Sequence, residues 1–314
     1  MKCDTMGSEI LRRHMMKDFV LTTDSAMCVV KKEDSIIIPT QIMDNKGNSY
    51  YDNIDIDNKK ILRDMDEGLI YKTSSPLLGD FEKAFRSVLD TGKDVIHLSV
   101  GANVSQGSVN GANLIANELN EEYENKVYVV DSMTGATGGT LLYELIYKDI
   151  LESNLPTTKI VDKLNKLKKQ IKTAFYVPNI DGYVRSGRDK TKSNLKNTVL
   201  STTSKLAKLA CFKFRVDLND NGELYLKKFF RASTAQGMEK MVMDIVNKDN
   251  VYTFDKKLVA VGSLYKDKVD LEKIKNYLNS LKYFDNIIES DIGSVIAAYG
   301  CNDLCGIALM KKLH

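Results

Sequence analysis

Three hydroxyls stand in a row at Thr73, Ser74 and Ser75, directly ahead of Pro76, in the stretch YKTSSPLLGDFEKAF (residues 71–85). The chain holds only 4 prolines in 314 residues, so this one is conspicuous punctuation. Behind it, Leu77, Leu78, Phe81, Ala84, Phe85, Val88 and Leu89 recur at helical spacing. A loop that gathers donors at the mouth of a helix is a natural seat for an anion, a carboxylate or a phosphate. The plainer alternative is that one hydroxyl caps the helix and does nothing more.

Two more stretches place small polar residues where a strand should end. DVIHLSV (94–100) reads as a buried strand running into GANVSQGS, and KVYVVDS (126–132) as another running into MTGATGG. The first strand, FVLTT (19–23), ends in Asp24-Ser25. Asp24 and Asp131, each ahead of a serine, read as loop or cap architecture. GATGGT (135–140) is neither a GxxxxGK[ST] loop nor a GxGxxG motif. Its glycines are expected to let a helix approach a sheet. An enzyme acting on a small phosphorylated substrate at these loops is the alternative reading, and it needs a base or metal ligands. The three histidines offer little: His14 and His314 lie near the termini and His97 sits inside an apolar strand. Cys301 and Cys305 are four apart without a second pair, so no zinc site is expected, and no other cofactor is implied.

Apolar strands alternating with helices argue a parallel sheet covered on both faces, with ligands outside the carboxyl ends of the strands. DSIIIPTQIMD (34–44) reads as one further strand and NKKILRDMDEG as a short helix ending at Gly68. Near NLPTTK (154–159), a proline and a capping threonine introduce a charged helix and mark a boundary. Beyond it come a strand TAFYV, an amphipathic helix reaching about Lys208, and a hairpin turning at NDNG. Further strands and helices complete a second α/β unit. The expected domains are an extension at 1–18, an N-terminal α/β domain with a mostly parallel sheet at 19–156, and a C-terminal α/β domain with a mixed sheet at 157–314.

Charge excludes some partners. Lys and Arg total 45 against 42 for Asp and Glu, a net +3, too balanced for nucleic acid or an anionic membrane. No run approaches the roughly 18 apolar residues that span a bilayer. Five irregularly spaced cysteines and the lack of a secretory pattern argue for a reducing, cytoplasmic setting.

Taken in order, TTDS, KTSSP, SQGSVNGA, VVDSMTGATGG, SGR (186–188), KKFFRA and IGSVIAAYGCNDLCGIAL resemble the landmarks of the DegV family of bacterial lipid-binding proteins, from about Phe19 to Lys311. The resemblance implies two α/β domains with a long-chain fatty acid in a ligand cleft between them, its carboxylate held by the KTSSP-like loop, chiefly Thr73 and Ser74. It implies a carrier, not an enzyme, that presents the acid to a separate fatty-acid kinase for acyl-phosphate formation in phospholipid synthesis. A family serine pair falls on Gly101-Ala102 here, so Ser99 or Ser105, or backbone N–H groups, are the expected substitutes. The family histidine falls on Tyr299, and Arg188 stands at a candidate tunnel entrance. A degenerate member serving as an interaction module is a further alternative. For a 16- to 18-carbon tail, roughly 0.8 kcal/mol per methylene gives on the order of 10 kcal/mol of gross transfer energy, so the tail should dominate affinity.

Overall fold

The computed structural model describes residues 18–153, 155–180, 212–231, 234–245, 254–264, 269–300 and 304–311. Arg188, the helix expected up to Lys208, and Cys301 lie outside the described residues.

The first sheet is parallel, in the order β2-β1-β6-β7, built from β1 (Phe19–Asp24), β2 (Ser35–Ile38), β6 (Asp94–Ser99) and β7 (Val127–Asp131). Parallel pairing demands long crossovers, and helices supply them. α2 (Leu78–Leu89) packs on β2 and β6, and α3 (Gln106–Glu122) on β6 and β7. Side chains alternate: Val95 joins Phe81 and Phe85 under α2, while Ile96 and Leu98 face the opposite core. Leu77 and Leu78 depart from the expected apolar stripe, being 49% and 47% exposed.

The stretch 34–44 is two strands rather than one. Pro39 has no N–H to give a ladder, and the chain breaks there. Residues beyond it form β3 (Gln41–Asp44), which joins a small antiparallel sheet, β4-β3-β5, with β4 (Ser49–Tyr51) and β5 (Tyr71–Ser74). α1 (Asn58–Asp66) links β4 to β5.

The second sheet is mixed, in the order β10-β9-β8-β13-β11-β12. Its strands are β8 (Ile171–Val177), β9 (Phe212–Leu218), β10 (Leu224–Arg231), β11 (Phe254–Leu264), β12 (Asn286–Asp291) and β13 (Leu304–Lys311). β11 and β12 are parallel and the other neighbours antiparallel. The β9–β10 turn follows its sequence signal, with Gly222 at φ +76° donating to the Asn219 carbonyl.

α4 (Thr137–Glu152) belongs to the first half by sequence yet packs on β8, β11 and β13 of the second sheet. α5 (Thr157–Leu167) lies against α4 and against β6 and β7. Pro156, not a threonine, holds the cap position of α5; Thr157 is buried and no side chain caps that helix. α6 (Thr234–Met243) and α7 (Val269–Ser280) pack together, with α6 also against β8. One continuous apolar core runs from Phe19 and Leu98 through Leu142 to Phe214 and Leu304.

Candidate functional site

Among the described strands β5 is an edge strand, paired to β3 on one side only. Its spare edge faces the second half of the chain, and Thr73 uses it. The Thr73 N–H donates to the Tyr299 phenol oxygen at 3.1 Å, and Thr73 Oγ1 donates to the same oxygen at 3.2 Å. Ser74 is exposed, with its hydroxyl donating to the Ser75 carbonyl at 3.2 Å. The capping alternative fails here: Leu77 holds the N-cap position of α2 and no side chain caps it.

Tyr299 also lines a cavity of about 690 Å³, a volume that includes its opening to solvent. Val100, Val104, Gly135 and Ala136 bound it from the first half, and Phe175, Val177, Val216, Leu218, Leu224 and Leu304 from the second. Among the described lining residues, Tyr299 is the one whose side chain carries a polar group. Strand alternation explains the lining. Phe175 and Val177 point to this face of β8, with Val216 paired to Phe175, while Ala174 and Tyr176 enter a separate core behind it.

The loop after β6 is arranged differently. The Asp24 carboxylate accepts from Val100 N at 2.8 Å, Ser99 Oγ at 3.3 Å and Ala26 N at 3.2 Å. Its burial pushes the carboxyl up to about 6, against the pull of those three bonds. Gly101 N–H donates to the Thr134 carbonyl at 2.6 Å, and Ala102 N–H to Asp131 Oδ1 at 3.1 Å. Ser105 Oγ lies 3.0 Å from Ser108 Oγ. The donors expected from Ser99, Gly101, Ala102 and Ser105 therefore have partners within the framework. Asp24 and Asp131 act as the loop and cap acceptors their positions suggested.

The GATGGT glycines serve packing. A Cβ on Gly139 would stand 2.7 Å from the Met27 carbonyl, and one on Gly138 would collide with the Thr134 and Thr173 hydroxyls. They let α4 press its first turn between the two halves. His97 is buried between Phe81 and Phe85, bonded to Thr22, and burial pushes it down to about 3, so it is a neutral core residue. Among the described residues no cluster of His, Cys, Asp and Glu could hold a metal ion. No described helix is long and apolar enough to cross a membrane.

Sequence reasoning singled out Thr73, Ser74 and Tyr299 but not the cavity wall. Phe175 lies in β8, a strand buried on both faces, so its apolar composition does not mark the side that lines a cavity.

The DegV family model, described as an uncharacterised protein family, matches residues 18–312. A DegV domain-containing protein of Staphylococcus aureus (strain MRSA252) is 23% identical over 302 residues, covering 93% of this chain and 99% of the relative. Among solved structures, a fatty-acid-binding DegV family protein of Thermus thermophilus superposes with a TM-score of 0.78 at 18% identity, covering 94% of this chain and all of that one. The Streptococcus pneumoniae Fatty Acid Kinase (Fak) B3 protein, loaded with linoleic acid, gives 0.77 at 17% identity, covering 95% and 100%. At these identities the structural likeness speaks for the fold.

Proposed function

The chain belongs to the DegV family, and from that premise we propose that it carries a long-chain fatty acid, the tail in the apolar cavity and the carboxylate at Thr73, Ser74 and Tyr299. The observation that carries this reading is the position of Tyr299, which lines the cavity and whose hydroxyl meets both Thr73 donors. An apolar chamber with its polar groups gathered at one point suits an amphiphile. A carboxylate leaving bulk water needs several donors to offset its desolvation. The Thr73 N–H and hydroxyl, the Ser74 hydroxyl and the Tyr299 phenol can supply them without a buried cation. Ser99, Gly101, Ala102 and Ser105 are framework in this reading, and Arg188 at the tunnel entrance stays part of the proposal. Residues 19–156 and 157–314 are the two domains, with 1–18 as an extension.

The proposed carrier hands the acid to a separate fatty-acid kinase, which makes the acyl phosphate used in phospholipid synthesis; the chain itself performs no catalysis and works in the cytoplasm. The pneumococcal relative's name supports that partner. Native mass spectrometry of the purified protein should reveal a bound mass in the fatty-acid range. Protein that arrives empty and also refuses added palmitate and oleate would overturn the carrier reading. Replacing Thr73 and Ser74 together by alanine should weaken oleate binding by about 1–3 kcal/mol, as expected for bonds lost to a charged group.

A further inference from the structure

Residues 292–300 form a short segment containing the single helical turn α8 (Ser294–Ala297) and ending at the Tyr299-Gly300 pair. This segment is tied to the first half of the chain at both ends. At its start, three consecutive residues are held. Asn58 Nδ2 donates to the Ile292 carbonyl at 2.8 Å, and Gly293 N–H donates to Cys28 Sγ at 3.2 Å. Ser294 Oγ donates to Asn53 Oδ1 and to the Ile56 carbonyl, both at 3.4 Å. At its end, both Thr73 donors reach Tyr299.

Between these ties, Val295, Ala297 and Ala298 are buried in the continuous core. A span this short, part helical and part buried, has little slack with which to absorb a shift at its start. Two residues of the first tie hold left-handed backbone, Cys28 at φ +53° and Asn53 at φ +57°. Asparagine tolerates that region; cysteine does so only where its surroundings impose it. Burial pushes the Cys28 thiol up to about 12, so it remains a neutral thiol accepting from Gly293. Neither Cys28, Asn53 nor Asn58 lines the cavity.

We propose that Cys28, Asn53 and Asn58 are positioning residues that set Tyr299 against Thr73 by anchoring the start of the 292–300 segment. The head-group geometry is thus fixed at a seam that the ligand never touches. The inference rests on the carrier reading for its consequence in binding, but the positioning itself has a readout that needs no ligand.

The test uses the full chain carrying Asn58→Asp together with Ser294→Ala. Aspartate at position 58 keeps the shape of the side chain and suits the first turn of α1, while it exchanges the donor to Ile292 for a repelling carboxylate. Hydrogen exchange at the Thr73 amide is measured beside that of the β6 amides. The expected result is exchange about tenfold faster at Thr73, approaching the rate in Tyr299→Phe, with β6 unchanged. Oleate and oleyl alcohol are then titrated in parallel. Affinity for oleate should fall about tenfold, as expected when bonds to a charged group are misaligned, while oleyl alcohol shifts less than about twofold. Unchanged protection at Thr73 overturns the proposal whatever the lipid result. So does an equal loss for both lipids, which marks general loosening. A wild-type chain that binds neither lipid sinks the carrier reading, and the exchange measurement still decides the positioning.

Discussion

Two strand-end loops in this molecule are built from the same kinds of residue and do different work. The loop after β6 turns its donors inward: Ser99, Val100, Gly101 and Ala102 are all bonded to Asp24, Asp131 or Thr134. At the end of β5, by contrast, Thr73 sends both of its donors across to Tyr299 in the second half of the chain. What separates them is the company of a buried carboxylate. Asp24 draws in the neighbouring donors because its own burial would otherwise be costly. On the edge strand β5, the acids nearby are engaged elsewhere, Asp64 by the Tyr71 hydroxyl and Asp44 by Asn48 and Tyr50, and the Thr73 N–H and hydroxyl go to Tyr299. Hydroxyl-rich composition alone therefore does not mark a ligand site; the location of the acceptor does.

That contrast can be broken most forcefully at Asp24. Asp24→Ala takes the acceptor from the Val100 and Ala26 amides, leaving Ser99 only the Val100 carbonyl, and should cost about 2–4 kcal/mol of stability, read from the urea midpoint. A loss below about 1 kcal/mol would mean that the loop after β6 does not depend on its carboxylate. The same residue predicts a pH dependence. Its folded-state value of about 6 lies above the ordinary 3.8, so the folded protein binds the extra proton between them. Stability from this group is fully present below about pH 4 and is lost as pH rises through 6, roughly 3 kcal/mol in all. Asp52, which burial also raises, works in the same direction. Subtracting the pH profile of Asp24→Asn from that of the wild type isolates the Asp24 contribution. A flat difference between pH 4 and 7 would show that the carboxyl is not desolvated as its burial implies.

Much of this arrangement is legible in the sequence, for identifiable reasons. Strands 94–100 and 126–132 are legible because their runs are apolar, the first being buried on both faces. Thr73 and Ser74 stood out through the proline behind them, and Tyr299 through its place in the family pattern. The break at Pro39 is masked in the sequence because Ile36, Ile37 and Ile38 and then Ile42 continue the apolar character across two different sheets. Leu77 and Leu78 matched helical spacing, yet they stand at the very start of α2, where its apolar stripe has not reached cover. The destinations of the Gly101 and Ala102 amides were not readable, since Thr134 and Asp131 lie some thirty residues away and only the β6–β7 pairing brings them near. The seam at Cys28, Asn53 and Asn58 was equally silent, because its partners at 292–294 are more than two hundred residues distant.

A finer test sets single hydroxyls against each other. Tyr299→Phe keeps the ring that lines the cavity and removes the oxygen that Thr73 addresses. Oleate binding should weaken by about 0.5–1.5 kcal/mol, while thermal stability changes little, because the Thr73 groups that lose their acceptor are only partly buried. Ser105→Ala deletes a hydroxyl of the same chemistry whose partner is Ser108 in the first turn of α3. Its effect on oleate affinity should fall within about 0.3 kcal/mol, and its cost should appear instead as a stability loss of at most about 1 kcal/mol. Isothermal titration and thermal melts on the two variants together separate a donor that faces the cavity from one that holds the loop. If Ser105→Ala weakens oleate as much as Tyr299→Phe does, the Ser105 hydroxyl serves the ligand rather than the framework, and the division between the two loops fails.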